Sequence, residues 1–119
     1  MAKEQSKLHR IGNLGVELAK QNGVAKGRKM PHNHPFDLVD NFNGTADEVK
    51  TMIVTPENGK NLKIHIADKS FRRKLDYMRK HNLKGRLILT LIDENEHPMA
   101  FYTGELKQHV RPSGLEKVK

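Results

Sequence analysis

The chain has no cysteine. That excludes a disulfide scaffold, a thiolate zinc site and a thiol nucleophile. It has only four Phe and two Tyr, so a core leaves few aromatics over for recognition. Apolar residues make up 35% of its 119 residues, a low share that predicts a small core in a single domain. No apolar run approaches the ~20 residues of a membrane span. The first residues are charged and polar where a signal peptide carries an apolar stretch. These absences predict a soluble, cytoplasmic protein with no membrane partner and no cofactor; they leave its oligomeric state open.

Positive charge is in excess, with 22 Lys/Arg against 14 Asp/Glu and a formal net charge of +8. The excess is uneven. Residues 1–30 carry seven cations and two acids, and residues 57–92 carry ten and three, whereas residues 31–56 and 93–119 are mildly acidic. Two separated basic blocks favour a local positive field, and so an anionic partner.

The second block holds the most legible element. In Ser70–Gly85, Phe71, Leu75 and Met78 recur at helical spacing behind Ser70, a good N-cap, and Asn82 and Gly85 supply stop signals. The rest of that helix is cationic. Arg72, Arg73, Lys74, Arg79 and Lys80, joined by Lys84 and Arg86, are the first candidate phosphate contacts, since guanidinium forks grip phosphate oxygens in pairs. Lys26, Arg28 and Lys29, in a short connector, are the second. A solvated surface or an acidic protein surface would use the same residues.

Around this helix the chain reads in order. Residues 3–21 form a helix with Leu8, Ile11, Leu14 and Leu18 on one side, weakened by Gly12 and Gly15. Pro31 and Pro35 bound a loop that no helix or central strand crosses. Thr45 with Glu48 matches a capping box, and Val49–Thr55 reads as a strand. Leu62–Ile66 alternates as a half-buried strand and makes a hairpin with it. Arg86–Ile92 is apolar on both faces and so central; Met99–Thr103 returns beside it. The expected fold class is α+β: a small antiparallel sheet of about four strands in two hairpins, with the basic helix packed on it and an N-terminal helix added. Residues 1–35 are the helix and basic linker, 36–110 the domain, and 111–119 a flexible tail.

Catalytic signals are few. His32 and His34 flank Asn33 in the proline loop, but two imidazoles fall short of the three or four ligands of a zinc site, with only Asp37 and Asp40 nearby. Ser6, Ser70 and Ser113 fall in a leader, a cap and a tail, away from any base. Asp93, Glu94 and Glu96 crowd a turn. A nuclease using scattered carboxylates and a metal is the catalytic alternative. Tyr77, Phe101 and Tyr102 are the aromatics that could stack on bases, but no stretch carries a ribonucleoprotein signature. The expectation is a small, non-enzymatic DNA- or RNA-binding protein that grips the phosphate backbone. The alternative is an accessory protein that docks on a larger protein or nucleoprotein assembly.

Overall fold

The computed structural model describes residues 2–59 and 61–119, with the side chains of residues 1–6 and of Leu8 outside that description. In chain order the elements are α1 (Ala2–Gln21), β1 (Arg28–Lys29), β2 (Leu38–Asp40), β3 (Thr45–Ile53), β4 (Ile64–His65), α2 (Asp68–His81), β5 (Lys84–Ile92), β6 (Pro98–Glu105), β7 (His109–Val110) and β8 (Glu116–Lys117). Six strands form one mixed sheet in the order β1-β2-β3-β5-β6-β8, and β4 pairs with β7 in a separate ladder. Among the described residues, no helix is long and apolar enough to cross a membrane.

The α+β class stands, and the predicted antiparallel sheet of about four strands in two hairpins is corrected in number and pairing. The second hairpin, β5 with β6, is present. The first is not. β3 runs parallel to β5 along its whole length, from Thr45 opposite Lys84 to Ile53 opposite Ile92. Parallel neighbours need a crossover, and α2 is that crossover. Of Leu62–Ile66 only Ile64 and His65 pair, with Val110 and His109. The capping-box reading of Thr45–Glu48 yields to the strand, which begins at Thr45.

The double-sided apolar pattern of β5 is satisfied by a helix on each face. Val16 and Ala19 of α1 pack with Leu38, Val49, Ile88 and Phe101 on one face. Phe71, Tyr77 and Met78 of α2 pack with Phe36, Val39 and Ala46 on the other. Leu87, Leu89 and Leu91 continue that second face with Ile64 and Ala100. The first helix is therefore part of the core, where an appendage was expected. The tail is likewise an edge strand, with Tyr102 and Thr103 opposite Lys117 and Glu116.

Close approach explains Gly15. A Cβ there would collide with the Thr51 side chain on β3, and the Gly15 carbonyl accepts the Thr90 hydroxyl at 3.1 Å. α2 starts at Asp68, so Ser70 lies inside the helix and not at its cap. Asn82 ends it in the left-handed conformation (φ 52°), with its cap N–H bonded to the Met78 carbonyl.

Candidate functional site

The predicted cations divide on burial. Lys26, Arg28, Lys29, Arg72, Arg79, Lys80 and Lys84 are exposed. Arg73 is exposed too, but its guanidinium donates to the Asn33 carbonyl at 2.9 Å. Lys74 and Arg86 are corrected. Arg86 is half-buried, and its Nε donates to Asp47 Oδ1 at 2.9 Å. Asp47 is 1% exposed, so this pair neutralises a buried charge and is not free for a phosphate.

Lys74 is the one buried residue of α2. Its ammonium donates to the Pro35 carbonyl at 2.7 Å and to Ser70 Oγ at 3.1 Å. It lies 3.4 Å from Glu48 Oε1 and sits over the Phe36 ring. With Arg73, it pins the proline loop to α2 just ahead of Asp37.

Asp37 precedes β2 and faces β3. Its amide donates to the Asp47 carbonyl at 3.0 Å, and its carbonyl accepts the Met30 N–H at 2.9 Å. Its carboxylate accepts the Val49 N–H at 2.8 Å. On β3, Glu48 and Lys50 share a face because strand side chains alternate; Glu48 Oε2 stands 3.3 Å from Lys50 Nζ. Two carboxylates from neighbouring segments are thus bracketed by two ammonium groups. Lys74 is 6% exposed and locked in place, whereas Lys50 is 35% exposed and meets Glu48 from the solvent side.

Burial pushes the Asp37 carboxyl up to about 6, and the Glu48 charge adds to the rise. The Val49 N–H, Lys74 and Lys50 oppose it without cancelling it. The Glu48 charge that adds to the rise at Asp37 would also attract a hard cation. Among the described residues, no group of three or more His, Cys, Asp or Glu is arranged to hold a metal.

Asp37 also forms part of the wall of a cavity of about 570 Å³ between α1 and the start of β2, with His9, Asn13, Lys29 and His32 around it. Glu48 points from the opposite face of β3, so Asp37 is the residue common to cavity and cluster. His32 and His34 diverge. His32 packs edge-on against His9, with ring centroids 4.8 Å apart. His34 packs against Tyr77 at 4.6 Å. Asp93, Glu94 and Glu96 stay in the β5–β6 turn, where Glu96 pairs with Arg10 of α1.

The sequence reading has Glu48 only as the end of a capping box and Lys50 only inside the Val49–Thr55 strand, and gives neither a functional role. Extending the strand back to Thr45 would have put an acid and a lysine on one face of a central strand. Comparison with family models, with curated proteins and with solved structures finds no match for this chain.

Proposed function

We propose that this protein is a nucleic-acid-binding phosphodiesterase whose site is Asp37, Glu48 and Lys50. The observation that carries the reading is the carboxylate pair bracketed by lysines, with Asp37 held up to about 6. A divalent cation held by Asp37 and Glu48 would supply Lewis acidity toward a phosphate oxygen. Lys50 stands where it can stabilise negative charge developing on that phosphate. Lys74 orients Glu48 and is a positioning residue. The reaction needs no oxidant: water adds at phosphorus, one ester P–O bond breaks, and the leaving oxygen takes a proton.

The charge of the chain supports a polyanionic substrate. The non-enzymatic expectation is the second reading; in it the same groups hold the proline loop against α2 and β3. The accessory-protein alternative uses Arg72, Arg79, Lys80 and Lys84 equally well.

The test is a titration of labelled single- and double-stranded DNA and RNA by anisotropy in chelator, followed by the same mixtures with magnesium on a denaturing gel. Binding in chelator with cleavage in magnesium is the expected result. Binding without cleavage of any probe returns the protein to a binding role, and no binding leaves the protein-partner alternative.

A further inference from the structure

We propose that Phe42 is a base-stacking platform, and that the nucleic acid bound here presents unpaired bases. The inference rests on the nucleic-acid reading above and does not depend on catalysis. Phe42 is 97% exposed, although it is one of only four Phe in a chain poor in aromatics. Burial is the ordinary fate of such a side chain. Here it is held out on the β2–β3 turn.

That turn is firmly tied. The Asn43 amide donates to Asp40 Oδ1 at 3.0 Å, and its side-chain nitrogen donates to Asp40 Oδ2 at 2.7 Å. Gly44 supplies the left-handed conformation (φ 70°) that closes the turn, and its carbonyl accepts the Lys84 N–H at 2.9 Å. Phe42 is thus presented on a fixed mount.

Topology gathers cations at the same end of the sheet. β1 is antiparallel to β2, so Lys26, just before β1, lies toward the turn. β5 is parallel to β3 and starts there with Lys84 opposite Thr45. Only Asn82 and Leu83 separate α2 from β5, which brings Arg79 and Lys80 to that end as well. The acids there are partly engaged. Asp40 holds the turn and Asp76 lies 3.7 Å from Arg79, while Glu105 is exposed at the end of β6.

An aromatic face among lysines and arginines matches an unstacked base flanked by phosphates. An intact duplex offers no free base face, whereas a mismatch, flap or junction does.

The experiment compares a short DNA duplex with the same duplex carrying a central run of mismatched bases, by anisotropy in chelator so that cleavage plays no part. Wild type is expected to prefer the interrupted duplex. Phe42→Ala is expected to weaken that complex by about 5- to 150-fold, the range for loss of one aromatic–base stack, with the intact duplex unaffected and Phe42→Trp retaining the preference. Circular dichroism and melting should not change, since the side chain contributes little to the core. Equal effects on both duplexes, or no effect of Phe42→Ala, would overturn this inference alone. Failure of wild type to bind either duplex would overturn this inference, and the titration with all four DNA and RNA probes decides the nucleic-acid reading separately.

Discussion

Asp37 opposes folding at neutral pH. Its carboxyl keeps a proton up to about pH 6 in the folded chain, against an ordinary value of 3.8. Between those values the folded state binds the proton more tightly than the unfolded state does, so stability falls as pH rises through the window and stays lower above it. Asp37→Asn removes the charge and keeps an acceptor for the Val49 N–H. It is expected to raise stability at pH 7 by on the order of 1–3 kcal/mol, read as a shift in denaturant midpoint, with little change at pH 4. A midpoint that does not move at pH 7 would show that Asp37 ionises freely. Little of this was legible beforehand. Asp37 stood out only as a neighbour of His32 and His34, and Lys74 read as one more surface cation. Helical spacing places Lys74 on α2, but the Pro35 carbonyl that receives it lies 39 residues away.

α1 owes its seat on the sheet to the difference between its two glycines. Gly15 faces Thr51 with no room for a Cβ, whereas a Cβ on Gly12 meets nothing within 4 Å. Gly15→Ala is expected to cost about 1–3 kcal/mol by overpacking. Gly12→Ala should instead add up to ~1 kcal/mol through helix propensity. Thermal melts of the two variants should move in opposite directions; a rise in both would mean that α1 does not dock closely on β3. Sequence alone showed both glycines as weaknesses and could not separate them, because the partner strand supplies the difference. The same distinction runs through the sheet. α2 and the β5–β6 hairpin were legible because their signals are local: an apolar stripe, a stop at Asn82, alternation and a polar turn. The β3–β5 pairing was not, since a strand's pattern tells which face is buried and says nothing of which neighbour it pairs with.

Net charge acts on the molecule as a whole. The end of the sheet that carries Lys26, Arg79, Lys80 and Lys84 is expected to set the salt dependence of binding. Four phosphate contacts give a slope of about −3.6 in log affinity against log salt, so affinity for duplex DNA should fall about a hundredfold between about 50 and 200 mM salt. A slope near −1 would remove this end as the contact surface. Composition foretold such a field, and the fold concentrates it by bringing residues from both basic blocks to one end.

The decisive measurement is cleavage of a labelled DNA or RNA strand in magnesium by wild type and by Glu48→Gln, with chelator as the control. The carboxylate–lysine site predicts cleavage by wild type that chelator abolishes. It also predicts a loss of about a hundredfold or more in Glu48→Gln, with binding in chelator retained. Cleavage that survives Glu48→Gln at full rate, or none by wild type on a strand it binds, would contradict the assignment of Asp37, Glu48 and Lys50 as the site.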